Sequence, residues 1–501
     1  QALEALYDAR VIRSLGLSYE LTPAWGYPRY RDNVFEYMLS TERGGLTPFF
    51  HFFKHALRRL YRVKWALLAP STLVNFLQFA CKIVDTLRYD YTDEQYIERY
   101  DSISIAELTN DITHPELRVI FRDMFEEASR DFFSKPTKMS VFGFYTFLHC
   151  YMFSPDLCSR NSTKLMKFTD TLHNSFFKPF EDTLLSLHVD IHTGVGVNRI
   201  RKTVNGFTVH CSGDPGEIAQ EFDYVVVATN QTEAQRLLLS SDSPVINRRI
   251  DPLFYIPVAR LDRYYVVRVF VNRVINRKYP AMHCNQSGAE SLVGFIAFYH
   301  RIEKGYADLA RQHGIGTYEL QALCVDRDME PSVVHDRMVA ELFEQVSELD
   351  GAEVLHTTVV TGEDASVNNV NKELLRPGVC ETGSVFLCGD YVKTRHPTFL
   401  MEKSVVSGKE AAKCIVQQLG GGDVDIQHFN HRGYLRHLTG HGIFGTLSRI
   451  MSLPFLFSGF AWANRLYLEH PVRFAGARFT GVLARGIVVY GLLSALYGFL
   501  N

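Results

Sequence analysis

The residues best suited to chemistry lie near the end of the chain, between positions 383 and 416. A short apolar run leads to Gly389, where the backbone can approach a ligand closely, and Asp390 follows with a carboxylate acceptor. A helix is predicted to begin at Met401 or Glu402, and its free N–H groups offer partial positive charge to a phosphate or an electron-rich ring edge. We interpret this order of elements as a candidate cofactor site, and a purely structural turn is the alternative.

Other reaction classes find no support in the sequence. It contains no G-x-S-x-G, no P-loop and no H-E-x-x-H spacing, so nucleophilic, phosphoryl-transfer and zinc chemistries are not indicated. Residues 440–445 match G-x-G-x-x-G, but HRGYLRHLT precedes them instead of an apolar strand, which argues against a nucleotide loop. We predict no metal site and assign no catalytic residue.

Two strands are expected to position the candidate site. Asn205-Gly206 predicts a hairpin, and the apolar run 224–229 that follows it is typical of a strand buried in a parallel sheet. The run 384–388 ends at Gly389 and predicts a second such strand. We expect residues 224–229 and 385–389 in one sheet, because both strands are needed to frame one cofactor site.

The remaining pattern predicts a mixture of helices and antiparallel strands. Residues 73–180 are mostly of helical period, with a helix start capped by Ser102 or Ser104. Further strands are predicted at 264–275, 291–300 and 318–325, and helices at 332–349 and 405–418.

Three apolar segments indicate contact with a membrane. Residues 479–500 form a run of 22 residues whose only charge is Arg485, long enough to cross a bilayer of roughly 30 Å. Residues 450–464 are uncharged but short, and residues 48–62 mix phenylalanines with basic side chains as an interfacial helix does. The alternative is that these segments pack as core helices.

Composition narrows the partners and the compartment. Lys and Arg total 53 against 55 Asp and Glu, a net charge of -2, which provides no field for a nucleic-acid partner. The nine cysteines are odd in number and form no C-x-x-C pair, so we expect reduced thiols and a non-secreted protein.

The segment 383–416 resembles the end of the FAD domain in the flavin-dependent amine oxidase superfamily, in its phytoene and carotene desaturase-like branch. Its order of GDYVKT, LMEKSVVSGKEAA and an Arg-Pro before the last strand is similar to that of the family. The resemblance implies FAD as cofactor, bound by Gly389, Asp390, Met401 and Glu402. Residues 176–200 resemble the family stretch whose valine backbone meets the FAD adenine, which implies the same role for Val197 near the edge of the parallel sheet.

The sequence departs from the family pattern in two places. No N-terminal βαβ unit with G-x-G-x-x-G is seen, so we expect the chain to begin after it, and Lys403-Ser404 stand where the family has glycine and alanine. The expected function is a membrane-associated FAD-dependent desaturase acting on a lipid-soluble polyene. The alternative is a catalytically inactive accessory subunit of a membrane complex that has lost FAD, and a weaker one is an amine or thioether oxidase.

The expected fold is α/β with mixed α+β character: an FAD-binding Rossmann-like sheet, a substrate-type domain of helices and antiparallel strands, and apolar C-terminal helices. The expected divisions are a helical, membrane-facing domain (1–185), FAD-type segments (186–250 and 376–419), substrate-domain strands with a helix (251–375), and a membrane-associated tail (420–501). Expected partners are membrane lipid, a hydrophobic small molecule and other subunits. The expected location is a membrane facing a reducing compartment, with mitochondrial and plastid membranes among the candidates.

Overall fold

The computed structural model describes fourteen stretches of the chain. They are residues 19–23, 90–110, 134–147, 164–168, 170–212, 218–241, 263–275, 282–284, 291–362, 368–379, 384–395, 397–398, 400–424 and 426. The apolar segments 48–62, 450–464 and 479–500 therefore lie outside the described residues. None of the helices within the described stretches is long and apolar enough to cross a membrane.

The described stretches contain twelve strands and nine α-helices. The strands are β1 (Tyr19–Pro23), β2 (Lys164–Phe168), β3 (Gly196–Lys202), β4 (Phe207–Ser212), β5 (Ile218–Phe222), β6 (Val225–Val227), β7 (Arg263–Val271), β8 (Met282–Cys284), β9 (Phe295–Phe298), β10 (Gly316–Val325), β11 (Val354–Gly362) and β12 (Val385–Leu387). The helices are α1 (Glu94–Asp101), α2 (Ile105–Asn110), α3 (Val141–Phe147), α4 (Lys178–Ser186), α5 (Gln231–Ser240), α6 (Tyr299–Ile302), α7 (Lys304–His313), α8 (Pro331–Gln345) and α9 (Leu400–Gln418). A π-helical turn (His173–Phe177) leads into α4, and 3₁₀ turns span Ser347–Leu349 and Glu373–Leu375.

The largest sheet among the described residues has five antiparallel strands in the order β11-β7-β10-β9-β8. Alternate residues of β7 face its core, so Tyr265, Val267 and Val269 are buried while the residues between them are only partly covered. Val334 and Met338 of α8 pack on the buried face, which gives this sheet a hydrophobic core of its own.

A second core gathers around β6 and β12, which pair in parallel. The antiparallel sheet β3-β4-β5 and helices α5 and α9 contribute to the same cluster, through Ile200, Leu238 and Ala411 among others. The first core draws on residues 251–375 and the second on 186–250 and 376–419. These boundaries otherwise stay a prediction.

The described residues fall into two compact units. One contains α1, α2 and α3, whose core is largely aromatic: Tyr100 contacts Tyr145, with ring centroids 5.3 Å apart, and Tyr91 stacks on Phe142. The other contains the elements from Asp170 to Ile426.

Most of the predicted elements are found. The hairpin turns at Asn205-Gly206 between β3 and β4, and α8 and α9 occupy the predicted helices. Two predictions were wrong in part. β2 lies inside the region 73–180 predicted as mostly helical, and α6 begins at Tyr299, so the predicted strand 291–300 ends early.

Candidate functional site

The candidate site is built where two parallel strands end side by side. Residues 385–387 of β12 are in register with residues 225–227 of β6, as the sequence predicts. The Cys388 backbone N–H extends the pairing by donating to the Val227 carbonyl oxygen at 2.9 Å. The chain therefore leaves the sheet at neighbouring points, through Thr229 on one strand and Gly389 on the other. In parallel sheets, ligands bind in the crevice outside such carboxyl ends.

Gly389 is the tightest point of this crevice. Its φ of +149° is a backbone conformation that L side chains rarely adopt, and a Cβ atom placed there would lie 2.6 Å from the Tyr391 ring and 3.2 Å from the Thr229 carbonyl oxygen. The Gly389 N–H donates to Ser407 Oγ at 3.0 Å, and Ser407 is fully buried in α9. The turn is thus fixed to the helix behind it, and only glycine fits.

Asp390 is half-buried in the same turn. Its backbone carbonyl oxygen accepts a hydrogen bond from Arg376 Nη1 at 2.8 Å. Tyr391 follows and is fully buried, and its hydroxyl has no hydrogen-bond partner within the part of the chain that the structure describes. Buried hydroxyls are normally paired, so this oxygen marks a place where a ligand atom can be received.

Helix α9 begins at Leu400, one residue ahead of the predicted Met401. Leu400 has a φ of +49°, a left-handed conformation that is strained for a branched side chain. Met401 is 72% exposed and Glu402 only 2% exposed, so the two predicted site residues face opposite environments. The contact between helix and turn runs through Ser407, further along α9.

Val197 lies in β3, paired with Cys211 of β4, and a bulge follows it before Arg199. The sequence predicts it near the edge of the β6–β12 sheet; it belongs instead to the separate antiparallel sheet. It packs against the hydrophobic cluster that β6 and β12 share, and its carbonyl oxygen accepts from Arg236 Nη2 of α5 at 3.4 Å. The adenine-binding role of Val197 stays a prediction.

A buried ion cluster beneath the turn was missed at the sequence level. It consists of Glu373, Arg376 and Lys403, whose side chains are each 6% exposed or less. Arg376 Nε donates to Glu373 Oε2 at 2.6 Å, and Lys403 Nζ lies 3.5 Å from Glu373 Oε1. Arg376 Nη2 also donates to Asn368 Oδ1 at 2.7 Å. A 3₁₀ turn thus supplies a carboxylate to a cation from α9.

The pKa values of Glu373 and Lys403 are both lowered, for different reasons. Burial works to raise the pKa of Glu373, but the Lys403 and Arg376 cations outweigh it and hold the pKa at about 2. Burial, and next the Arg376 charge, lower the pKa of Lys403 to about 8, against the attraction of Glu373 and Asp390. Sequence alone could flag Lys403 as unusual but not identify its partner, thirty positions away.

One expectation about the cysteines was wrong. Cys211 and Cys388 are free thiols, but Cys414 of α9 is disulfide-bonded. Burial raises the pKa of the Cys388 thiol to about 12, so this cysteine behaves as a small apolar side chain beside the turn. The compartment itself stays a prediction.

Residues 12–261 match the family described as flavin containing amine oxidoreductase. The match begins ahead of position 73, where the sequence resemblance was placed, and the Gly389 turn lies beyond it. A carotenoid phi-ring synthase of Streptomyces griseus is 25% identical over 327 residues, which are 64% of this chain and 60% of that protein. One of Chlorobaculum tepidum is 29% identical over 201 residues, 38% of this chain and 30% of that protein. The chain thus spans less than two thirds of the length of these relatives.

The fold has counterparts among solved structures. Putrescine oxidase with putrescine bound superposes with a TM-score of 0.50 at 12% identity, covering 82% of this chain and 85% of the other. A triple mutant of the same enzyme gives a TM-score of 0.51 with the same coverage. At this identity the likeness concerns the fold alone.

Proposed function

The chain belongs to the flavin-dependent amine oxidase superfamily, and from that premise we propose that it is a membrane-associated FAD-dependent oxidoreductase of the desaturase type. Its substrate in this proposal is a lipid-soluble polyene. The flavin part of the proposal rests on the geometry of the turn. The substrate part rests on the relatives, and the membrane part on the sequence of the tail.

One observation supports the flavin part of the proposal. The parallel strands β6 and β12 end together, and Gly389 allows a ligand to approach the backbone where a Cβ would collide with the Tyr391 ring. The buried Tyr391 hydroxyl and the Asp390 carboxylate offer polar groups beside it. These groups fit the isoalloxazine ring of a flavin, whose faces are apolar and whose edge carries a few polar atoms.

The chain itself holds and orients the cofactor. Gly389 and Asp390 would bind through the turn, Met401 and Glu402 through the start of α9, and Val197 through its backbone. The N-terminal end of α9 adds partial positive charge, which favours an electron-rich ring. A bound flavin supplies the hydride acceptor for removing hydrogen from a carbon–carbon single bond. The neighbouring carbon loses a proton in the same reaction, which passes to water, and no residue of the chain is assigned as its acceptor.

The relatives support a polyene substrate. Both are named carotenoid phi-ring synthases, so their product contains a carotenoid ring. We infer that this chain acts on a molecule of the same class, long, apolar and conjugated. A substrate of that kind is held in lipid, which agrees with the apolar segment 479–500 and with membrane lipid as a partner.

A second candidate function keeps one observation in its favour. Lys403-Ser404 replace the small pair of the family, and Lys403 is buried at the start of α9. In this reading the chain is an accessory subunit of a membrane complex without a flavin. The contact of Lys403 with Glu373 favours the first candidate, because it shows that the Lys403 side chain is directed toward Glu373.

The test of the substrate is anaerobic. The FAD-loaded chain is mixed with carotenoid-containing vesicles, and we expect the flavin absorption to bleach as a more unsaturated product forms in equal amount. Gly389→Ala serves as the site control and Gly408→Ala, which has open space around it, as the matched neutral control. Bleaching by a soluble amine instead of the polyene contradicts the desaturase proposal.

The membrane proposal has its own test. Deletion of 479–501 is expected to move the chain from sedimenting with anionic vesicles to the supernatant while its helical circular dichroism is kept. Aggregation of the truncated chain with loss of that signal would mean that the tail belongs to the core.

A further inference from the structure

The ion cluster of Glu373, Arg376 and Lys403 contains two cations but one carboxylate. Arg376 Nε already donates to Glu373 at 2.6 Å, a complete buried ion pair. Lys403 Nζ is further away, at 3.5 Å from the other carboxylate oxygen. A buried ammonium loses its hydration, and a shared carboxylate returns only part of that free energy. The second cation is therefore not explained by the stability of the cluster.

Four charged residues on three elements face Lys403. Glu373 and Arg376 face it from the 3₁₀ turn, Asp390 acts on it from the turn after β12, and Glu410 interacts with it along α9. Burial lowers its pKa to about 8, so the ammonium form still dominates at neutral pH. A retained buried charge next to a cleft is a feature of functional sites.

The cluster is linked directly to the candidate cofactor site. Arg376 uses a separate nitrogen, Nη1, to donate to the Asp390 carbonyl oxygen at 2.8 Å. The same guanidinium thus joins Asp390, Glu373 and, through Glu373, Lys403 in the first turn of α9. Three contacts, Lys403–Glu373, Glu373–Arg376 and Arg376–Asp390, therefore connect the Lys403 charge with the cofactor turn.

We propose that Lys403 is a tuning residue of the cofactor site, whose buried positive charge makes the site bind reduced flavin more tightly than oxidised flavin. The inference rests on the proposed function, because it needs a flavin to act on. Lys403 does not touch the reacting atoms in this proposal; it acts through the field of its ammonium and through the Arg376 contact.

The electron balance defines what is measured. Oxidised FAD takes up two electrons from dithionite and one proton from water, and the reduced ring carries one more negative charge than before. A nearby cation stabilises that added charge, so removing the cation lowers the reduction potential. A tenfold weaker binding of reduced relative to oxidised FAD corresponds to about 30 mV for a two-electron couple.

The test uses the whole chain loaded with FAD. Lys403→Met keeps the apolar stem, removes the charge and leaves the Arg376–Glu373 pair complete, so the variant is expected to fold. Lys403→Arg restores the charge. Lys413→Met is the matched control, since Lys413 lies on the same helix and pairs with Asp423 at 2.6 Å near the surface. Potentials are read against a reference dye, and FAD affinity by fluorescence.

The expected result is at least a tenfold loss of preference for reduced FAD in Lys403→Met, with wild-type behaviour in Lys403→Arg and Lys413→Met. Equal potentials in Lys403→Met and wild type, with FAD bound by both, overturn the inference and leave the proposed function standing. If Lys403→Met does not fold, Lys403→Gln, which also removes the charge and keeps a polar group for Glu373, replaces it and is judged by the same criterion. Failure of the wild-type chain to bind FAD overturns the proposed function, and the inference with it.

Discussion

Close packing around single residues decides how the candidate site is built. Gly389 lies between the Thr229 carbonyl oxygen and the Tyr391 ring. Arg376 donates hydrogen bonds to the Glu373 carboxylate, the Asp390 carbonyl oxygen and the Asn368 side chain. Gly389 has no room for a Cβ atom, and no other side chain reproduces the forked donors of the Arg376 guanidinium. Their roles can therefore be tested by single changes with a matched neighbour as the control.

Gly389→Ala is expected to lower FAD affinity at least tenfold and to destabilise the fold by about 2 kcal/mol. The added Cβ would lie 2.6 Å from the Tyr391 ring, at a φ of +149° that alanine rarely adopts. Gly408→Ala on α9 meets nothing within 4 Å and should be stabilising by about 0.5 to 1 kcal/mol, as helix propensity dictates. Flavin fluorescence and thermal unfolding measure both. Similar behaviour of the two variants would show that Gly389 is not a close-approach point.

Lys403 gives the stability of the chain a characteristic dependence on pH. Its pKa is about 8 in the folded chain against 10.5 as the ordinary value, so the folded state releases its proton first. Because the unfolded state then binds more protons, the free energy of unfolding rises from pH 8 to pH 10.5, by about 3 kcal/mol in total. Below pH 8 the buried Lys403 ammonium lowers the free energy of unfolding by a constant amount.

Chemical unfolding between pH 7 and 10 measures this slope as a difference between variants. Lys403→Met should lack the Lys403 contribution, whereas Lys413→Met should keep it. Parallel curves for wild type and Lys403→Met would contradict the burial of a charged lysine. The chain contains other groups that titrate in this range, and the difference between variants removes them.

The sequence could identify Gly389, Asp390 and the start of α9 because each belongs to a local pattern of strand, turn and helix. It could not place Glu373 beside Lys403, since that contact depends on how a 3₁₀ turn meets a distant helix. Val197 was misplaced for a related reason: which strands pair with which is decided by tertiary contacts, and a valine in a β-rich run is equally compatible with either sheet.

At the scale of elements, local capping explains why several boundaries were predictable. Ser104 precedes α2, its N–H donates to Glu107 Oε2 at 2.7 Å, and the Glu107 N–H donates back to Ser104 Oγ at 3.2 Å. This is a capping box, and it confirms one of the two predicted cap positions. β11 was not predicted, because its covered and exposed residues do not alternate as they do in a half-buried strand.

Ser104→Ala is expected to destabilise α2 by about 1 kcal/mol. Amide hydrogen exchange in residues 105–110 should accelerate about fivefold, since 1 kcal/mol corresponds to that ratio. Ser102→Ala is the matched control: its hydroxyl donates to the Arg99 carbonyl oxygen at 3.0 Å on the exposed side, and its loss should change exchange in α2 less than twofold. Equal acceleration in both variants would contradict the capping box.

For the whole molecule, the two hydrophobic cores of the unit that contains β3 to β12 correspond to two kinds of sheet. The antiparallel sheet with α8 has a core that β6 and β12 do not enter, and the parallel pair has another. This arrangement agrees with the predicted fold class. The apolar C-terminal helices of that prediction lie outside the described residues.

The central claim is that this chain holds a flavin at the Gly389–Asp390 turn. The most direct measurement is the visible absorption spectrum of the purified chain during a titration with FAD, repeated with Gly389→Ala. We expect the wild type to give a saturable, red-shifted and structured flavin band, with one FAD bound per chain. The Gly389→Ala variant should lose that saturation. A wild-type spectrum identical to that of free FAD at every ratio would contradict the claim.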